Sequence, residues 1–339
     1  MTRKLDASVY YDFTPVMSRN GIFNMIVGGR GIGKSYGAKV REVRRALRSN
    51  WQFIYMRRFR EELKASAASF FADIAHEFPG WEFKQVGDKA LARIAGSDDE
   101  WKHIGYFLAL SVSKNFTSVS YPNVKTIIFD EFIADPAKIG QKYLNDEWTV
   151  LMNFYVTVDR YQERVKVIML ANAISIDNPY FLTLDHVPDG REWYTYKDGM
   201  VIIQYPKSED FNNATMKTRF GKMIADTEYA KFAVNNEFKD AHGRLVVRKS
   251  ERSRYFYTLV TRKGTFSLWF DTETGNMYAQ SKRPKIEELY TVDPTRISED
   301  CEFLTFSDKK IAHPRTLFRQ GKMYFDKPPT RNAFMEIFK

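Results

Sequence analysis

Residues Gly28 to Ser35 read GGRGIGKS and match the phosphate-loop pattern G-x-x-x-x-G-K-[ST] at every fixed position. A mostly apolar run, residues 22–27, leads into the loop, and apolar residues at helical spacing follow it as far as Ser49. This context predicts a buried strand before the loop and a helix after it, so that backbone N–H groups face the oxygens of a phosphate. Lys34 is then expected to contact the β and γ phosphates of a nucleotide, and the Ser35 hydroxyl to bind Mg²⁺.

The rest of the loop is expected to bind phosphate through its main chain, because glycine lets the backbone approach an anion closely. These predicted nucleotide-binding residues are Gly28, Gly29, Arg30, Gly31, Ile32 and Gly33. The alternative is a glycine-rich turn that binds nothing, and the strand and helix patterns on either side argue against it.

A second motif, TIIFDE at residues 126–131, is an apolar strand that ends in two acids, the form of a Walker B strand. Asp130 is predicted to hold Mg²⁺ together with Ser35, and Glu131 to polarise an attacking water. A carboxylate placed to activate water indicates a hydrolase, because a kinase uses a second substrate as its nucleophile. The alternative is a strand that ends in two solvated acids.

A third apolar segment, residues 165–171, predicts a strand that ends at Asn172. A polar side chain at that strand end can hydrogen-bond the γ-phosphate or the attacking water, so Asn172 is a candidate sensor of intact ATP. A plain turn-forming role explains an asparagine at this position equally well.

Positive charge is concentrated near the end of the chain. The 339 residues carry a formal net charge of +10, and residues 241–339 hold 19 Lys and Arg against 12 Asp and Glu. Such an excess indicates a polyanionic partner for this region, most simply nucleic acid, with a solvated basic surface as the alternative. A hydrophobic content of 44% predicts a folded chain long enough for about two domains.

Cysteine usage and apolar runs bear on the compartment. The single cysteine, Cys301, cannot form an intrachain disulfide, so the sequence gives no indication of an oxidising compartment. No signal-peptide core and no run of about 20 apolar residues is found in the sequence. We therefore expect a cytosolic protein without a membrane partner.

Strands and helices alternate over the first two hundred residues, with further strands predicted at 53–56 and 106–112 and helices at 61–78 and 144–161. Alternation of this kind predicts an α/β fold: a P-loop NTPase of the ASCE type, with a parallel sheet flanked by helices and its ligand at the carboxyl ends of the strands. A hairpin is predicted at 194–205, and a helical linking segment after 211.

From residue 245 onward the pattern predicts antiparallel strands at 245–249, 254–280 and 321–326, with turns at 263–264 and 274–276. We therefore predict three parts: an ATPase domain at residues 1–205, a linker at 206–243 and a basic, strand-rich α+β domain at 244–339.

Several arginines are candidates to act on phosphate. Arg160 lies just before the third strand, where an arginine of a ring-forming ATPase can reach the nucleotide of a neighbouring subunit. Arg164 is an equally placed competitor, and a surface salt bridge is the alternative. Arg57 and Arg58 follow the second strand, where a guanidinium can reach phosphate, and Arg60 is a candidate to act across a subunit boundary.

Five blocks of sequence resemble the DNA-packaging ATPases of phi29-like short-tailed phages. They keep the family's order and spacing between residues 20 and 240 and read IVGGRGIGKSYGAKV, QFIYMRRFREEL, SYPNVKTIIFDEF, ERVKVIMLANAISIDNPYF and TRFGKMIADTEY. The resemblance weakens over the last hundred residues. There it implies a nuclease-like domain of the RNase H type that has lost its metal-binding acids, and the carboxylates of that region are scattered in sequence: Asp271, Glu273, Asp300 and Asp326.

The resemblance implies a ring of five subunits that drives double-stranded DNA into an empty prohead with ATP and Mg²⁺. It also implies a packaging RNA that docks the motor, and a place in the host cytoplasm, transiently at the portal vertex. The family's roles fall on Lys34 and Ser35 as phosphate and Mg²⁺ contacts, Asp130 as metal ligand, Glu131 as catalytic base and Arg160 as an arginine finger in trans.

The resemblance also places Arg57 and Arg60 at the subunit interface, where position 60 is lysine in the family. It assigns no DNA contact to Lys114. Three alternatives stay open from the sequence: a nucleic-acid-binding module with a regulatory nucleotide site, a phosphotransferase acting on a small substrate, and a helicase-like translocase.

Overall fold

A computed structural model describes residues 10–116, 119–135, 142–176, 178–186, 188, 190–207, 209–224, 227 and 249–338. The chain divides into two compact units, one formed by residues 1–180 and 188–240 and the other by residues 181–187 and 241–339. Each unit has its own sheet and its own apolar core.

The first unit is built on a nine-stranded sheet whose strands are β1 (Phe23–Val27), β2 (Gln52–Arg57), β3 (Trp81–Val86), β4 (Lys89–Ile94), β5 (Lys102–Ala109), β6 (Val124–Asp130), β7 (Lys166–Ala171), β8 (Trp193–Tyr196) and β9 (Val201–Gln204). Their spatial order is β3-β4-β5-β2-β6-β7-β1-β9-β8. The six strands from β5 to β9 in this order run parallel. Antiparallel pairing joins β4 to β5, β3 to β4 and β8 to β9, and β3 and β8 are the two edge strands. Since β7 lies between the phosphate-loop strand β1 and the Walker B strand β6, the fold is the predicted ASCE type.

The α-helices of the chain up to residue 224 are α1 (Thr14–Ser18), α2 (Lys34–Arg48), α3 (Arg60–Ile74), α4 (Glu147–Asp159), α5 (Pro179–Thr183), α6 (Glu209–Met216) and α7 (Arg219–Ile224). Only the first two residues of α5 belong to this unit. The central strands β1, β6 and β7 are buried except for the half-buried Lys125 and Lys166, because helices on a parallel sheet remove both faces from water. On α2, the buried side chains of Ala38, Val43 and Ala46 recur at helical spacing and pack into the core.

Most of the predicted elements of this unit are confirmed, and one is wrong at its end. The apolar run 106–112 was predicted as strand throughout, but β5 stops at Ala109 and 3-10 turns cover Leu110–Phe116. Beyond the end of β5, the Ser111 N–H donates to the carbonyl of Arg58, just beyond β2. The β3–β4 hairpin was not predicted, since polar residues interrupt both strands and only Ala90 and Ala92 are buried in them.

The second unit has a six-stranded sheet, with β10 (Arg254–Thr261), β11 (Gly264–Asp271), β12 (Asn276–Gln280), β13 (Leu289–Thr291), β14 (Cys301–Phe303) and β15 (Met323–Phe325), and the helices α8 (Lys309–Arg319) and α9 (Pro328–Phe334). The order is β14-β13-β10-β11-β12-β15. The predicted antiparallel meander β10–β11–β12 is confirmed. The predicted antiparallel pairing of the strand at 321–326 is wrong, because β15 pairs parallel to β12. Strand β13 also pairs parallel, to β10 on one side and to β14 on the other. This arrangement agrees with the predicted nuclease-like fold.

The acids of this unit are engaged separately. Asp271 accepts the N–H groups of Glu273 and Thr274 in a turn, and Asp326 accepts the N–H and hydroxyl of Ser281. Within the described residues, no three His, Cys, Asp or Glu side chains gather as a metal site. The predicted strand at 245–249 lies outside the described residues except for Lys249. No described helix is long and apolar enough to cross a membrane.

Candidate active site

The phosphate loop connects β1 to α2 at the carboxyl end of the sheet. Gly31 and Gly33 have φ angles of 84° and 86°, in the left-handed region that favours glycine. At Gly33 a Cβ would lie 2.9 Å from the ring of Tyr10, so the loop has no room for a side chain there. The Gly28 N–H donates to the carbonyl of Ala171 over 3.1 Å, which ties the start of the loop to the end of β7.

Lys34 is buried in the loop, with its ammonium group held by oxygens. Its Nζ donates to the carbonyls of Gly28 and Gly29, at 2.9 and 2.8 Å, and to Oδ1 of Asn172 at 3.2 Å. Burial lowers the pKa of Lys34 to about 7, an effect that the charge of Asp130 partly opposes. A phosphate anion beside this group would favour its charged form.

Asp130 forms the centre of a second set of contacts. Its Oδ1 accepts the Ser35 hydroxyl over 2.8 Å, and its Oδ2 accepts the Tyr55 hydroxyl over 2.8 Å. Burial raises the pKa of Tyr55, and the carboxylate of Asp130 adds to this, so Tyr55 stays a donor. The oxygens of Ser35 and Asp130 are hard donors of the kind that Mg²⁺ prefers, so these two residues fit the predicted metal site.

Glu131 follows β6 in a left-handed backbone conformation, with φ of 57°, which costs free energy in a residue that is not glycine. Its carboxylate is 2.7 Å from the guanidinium of Arg57, which also lies 3.5 Å from Asp130. Burial alone would lower the pKa of Arg57, but the two carboxylates outweigh it and raise that pKa. Arg57 therefore compensates the charges of both Walker B acids.

Arg58 is fully buried next to Arg57 and has different partners. Its Nε donates to Glu147 over 2.8 Å, and its terminal nitrogens donate to the carbonyls of Glu131 and Phe132 over 3.4 and 2.6 Å. Its contacts are therefore with the main chain just beyond β6 and with the first residue of α4.

Arg160 and Arg164, the two candidate fingers, differ in their surroundings. The guanidinium of Arg164 donates to the carbonyls of Tyr121, Pro122, Val124 and Val158, so it fastens its loop to the start of β6. Arg160 is exposed at the end of α4 and has a φ of 54°. The structure thus gives Arg164 a structural role and leaves Arg160 on the surface.

A cavity of about 1540 Å³ lies against the loop, and predicted site residues line it: Arg30, Gly31, Gly33, Lys34, Ser35, Asp130, Glu131 and Asn172. Among the described residues, Arg57, Arg60 and Arg160 do not line it, and Arg60 is exposed at the start of α3. Tyr55 was not predicted as a site residue, since its only signal in the sequence is its position on β2 two residues before Arg57.

The model of a family described as podovirus DNA encapsidation protein (Gp16) matches residues 5–339 of this chain. The chain belongs to this family. It is 35% identical over 340 residues to the DNA packaging proteins of Bacillus phage PZA and Bacillus phage phi29, an alignment that covers 99% of this chain and 98% of each relative.

Two solved structures are similar to this fold. A structure titled the bacteriophage Phi-29 viral genome packaging motor assembly is similar with a TM-score of 0.70 and 35% identity, over 97% of this chain and 98% of that one. A crystal structure of the N-terminal domain of the DNA packaging ATPase from bacteriophage phi29 is similar with a TM-score of 0.52 and 40% identity, over 60% of this chain and 99% of that one. The predicted resemblance and the predicted P-loop fold are confirmed.

Proposed function

We propose that this chain is a Mg²⁺-dependent ATPase that drives double-stranded DNA into a preformed prohead. Family membership and the names of the relatives support DNA packaging. The observation that carries the catalytic part is the meeting of three separate motifs at one cavity. Ser35 donates a hydrogen bond to Asp130, which is 95 residues away in sequence, and Lys34 donates one to Asn172, which is 138 residues away.

Each of these residues has a role that suits its position. Lys34 and the N–H groups of residues 28–33 bind the β and γ phosphates, and Ser35 with Asp130 would hold Mg²⁺, which neutralises phosphate charge. Glu131 accepts a proton from the attacking water. Asn172 contacts Lys34 and is therefore placed to respond to the γ-phosphate.

Arg160 is proposed to complete the site of a neighbouring subunit in a homomeric ring of five. The main support is the loop that carries it. The buried carboxylate of Asp159 accepts the N–H groups of residues 162–165 over 2.9 to 3.0 Å, which fixes the turn beyond α4. A turn that is already rigid has little main-chain freedom to lose when its arginine docks on a neighbour.

DNA is proposed to be gripped through its phosphates, because a motor must move along any sequence. The excess of Lys and Arg after residue 241 supports a polyanion contact in that part of the chain. The further partners proposed are a packaging RNA and the portal of the prohead, which place the working motor at the portal vertex in the host cytoplasm.

The test is steady-state ATP hydrolysis with and without double-stranded DNA, for the wild type and for Lys34→Ala, Glu131→Gln and Arg160→Ala. We expect DNA to stimulate ATP turnover in the wild type. In each variant, the turnover rate should fall by at least about a hundredfold. Arg60→Ala tests the second interface candidate by the same assay.

Mixing subunits tests the trans arrangement. Glu131→Gln subunits lack their own general base but still supply Arg160, so adding them to Arg160→Ala subunits should restore part of the turnover. Turnover that ignores DNA and survives Arg160→Ala would contradict the motor. Activity that survives Glu131→Gln would favour the regulatory nucleotide site. Turnover that ignores DNA and depends on a small phosphate acceptor would favour the phosphotransferase.

A further inference from the structure

A buried polar cluster lies beside the catalytic residues but is not part of the proposed chemistry. It consists of Arg58, Glu147 and Tyr180, each exposed by 1% or less. Glu147 accepts Arg58 Nε over 2.8 Å, the Tyr180 hydroxyl over 2.5 Å and the main-chain N–H of Leu144 over 2.8 Å. Burial alone would lower the pKa of Arg58, but its bond to Glu147 outweighs this and keeps the guanidinium charged.

One side of this cluster holds the catalytic turn. Arg58 donates to the main-chain carbonyls of Glu131 and Phe132, the residues that follow β6. Because Glu131 has a left-handed backbone, it keeps this conformation only where its surroundings impose it. The guanidinium of Arg58 provides such a constraint, and it leaves the Glu131 carboxylate to other partners.

The other side of the cluster holds the start of α4. Glu147 is the first residue of this helix, and Arg160 follows its last residue, Asp159. A 13-residue helix behaves as a stiff rod, so a shift at Glu147 is carried to the turn that presents Arg160. That turn is itself fixed by Asp159 and Arg164.

We propose that Arg58 and Glu147 are positioning residues that join the Glu131 turn to α4, so that one buried contact sets the position of both the general base of a subunit and the arginine it offers to its neighbour. This inference rests on the proposed function. A buried ion pair suits such a link because no water is at hand to replace either partner, so the two elements shift together rather than separately.

The first experiment measures ATPase kinetics of the full chain with Tyr180→Phe and Glu147→Gln. Tyr180→Phe removes one hydroxyl from Glu147 and keeps the ring, and Glu147→Gln removes the charge and keeps the shape. We expect kcat to fall about tenfold and about a hundredfold, respectively, with the KM for ATP within about twofold of wild type. Expressing kcat per bound nucleotide removes the contribution of unfolded protein. If Glu147→Gln does not fold, the kcat of Tyr180→Phe alone tests the positioning role.

The matched control is Tyr257→Phe. Tyr257, in the second unit, is also a buried tyrosine with a hydrogen-bonded hydroxyl. Its partner is the main-chain carbonyl of Lys310 rather than a carboxylate. Its loss should leave kcat and KM at wild-type values. A fall as large as that of Tyr180→Phe would mean that any buried hydroxyl has this effect and would overturn the proposal.

The second experiment tests the link to α4. Arg160→Ala subunits are mixed with donors that carry Glu131→Gln alone, or together with Tyr180→Phe, Glu147→Gln or Tyr257→Phe. A donor contributes only its Arg160, so we expect the Tyr180→Phe and Glu147→Gln donors to restore less turnover than the other two.

Full restoration by the Tyr180→Phe and Glu147→Gln donors would overturn the proposal, even with a lowered kcat, because the cluster would then act on its own site alone. Unchanged kcat per bound nucleotide in both single variants would overturn it as well. No restoration by the Glu131→Gln donor alone would contradict the trans role of Arg160 in the proposed function, and this inference with it.

Discussion

The guanidinium of Arg57 lies 2.7 Å from the carboxylate of Glu131 and 3.5 Å from that of Asp130. A single cation at the end of β2 thereby pairs with both acids at the end of β6, the neighbouring strand. Two carboxylates so close together repel each other, and Arg57 offsets that repulsion. The sequence predicts a place at a subunit interface or on phosphate for Arg57, and in the described structure its guanidinium pairs with these two acids.

Arg57→Ala should lower kcat by about a hundredfold, with a smaller effect on the KM for ATP, because both acids lose the cation that orients them. Steady-state kinetics with saturating Mg²⁺ measures the effect. Arg93→Ala is the control, since Arg93 pairs with Glu82 over 2.8 Å on the β3–β4 hairpin, and it should leave kcat unchanged. Equal kinetics in the wild type and Arg57→Ala would mean that the ion pair is incidental to catalysis.

Lys34 should take up a proton from solution when a nucleotide binds. Burial lowers the pKa of this residue to about 7, so at pH 8 it is mostly neutral before a phosphate favours its charge. Calorimetry of nucleotide binding in buffers of different ionisation enthalpy should give close to one proton at pH 8 and little at pH 6, where Lys34 is already charged. The same uptake at both pH values would speak against Lys34 as its source.

The lowered pKa of Lys34 also makes the free energy of unfolding depend on pH. In the unfolded chain Lys34 has a pKa near 10.5, so between about pH 7 and 10.5 the unfolded state binds more protons than the folded one. The contribution of Lys34 to the free energy of unfolding therefore rises with pH across that window. Lys34→Met should flatten this part of the pH profile in denaturant titrations, whereas an unchanged profile would contradict the assignment.

Tyr55→Phe should weaken the response to Mg²⁺. The Tyr55 hydroxyl donates to Asp130 Oδ2 and orients the carboxylate that also accepts Ser35. Loss of a partner that orients a metal ligand typically costs at least about tenfold in metal affinity, so the Mg²⁺ concentration for half-maximal turnover should rise by about that factor. Tyr257→Phe serves as the control, and a Mg²⁺ dependence identical to wild type would exclude this role for Tyr55.

Asp159→Asn should impair the supply of Arg160 to a neighbour. The carboxylate of Asp159 accepts four main-chain N–H groups, and an amide would turn an N–H₂ donor toward some of them. Glu131→Gln/Asp159→Asn donors should therefore restore Arg160→Ala subunits about tenfold less than Glu131→Gln donors. Glu131→Gln/Asp73→Asn donors are the control, because Asp73 pairs with Lys39 outside this turn. Equal restoration by both donors would show that the turn does not depend on Asp159.

Much of the fold could be read from local patterns. The phosphate loop, β6, β7 and the β10–β11–β12 meander were predicted because burial on a strand and periodicity on a helix are written into neighbouring residues. The parallel pairing of β15 and the end of β5 at Ala109 were not, since each depends on a partner far away in sequence. Parallel strands need a crossover, and the pattern of a short strand carries no information about its direction.

At the site, the sequence by itself determined the chemistry: a loop that can hold phosphate through Lys34, oxygens that suit Mg²⁺, and an acid that can activate water. Only the tertiary structure decided between like residues, fixing Arg164 to its loop while Arg160 is exposed, and burying Arg58 against Glu147 while Arg57 meets Glu131. Neighbouring arginines have the same charge and reach, so sequence cannot separate them. Their roles follow from which carboxylates and carbonyls the packed strands and helices bring within hydrogen-bonding distance.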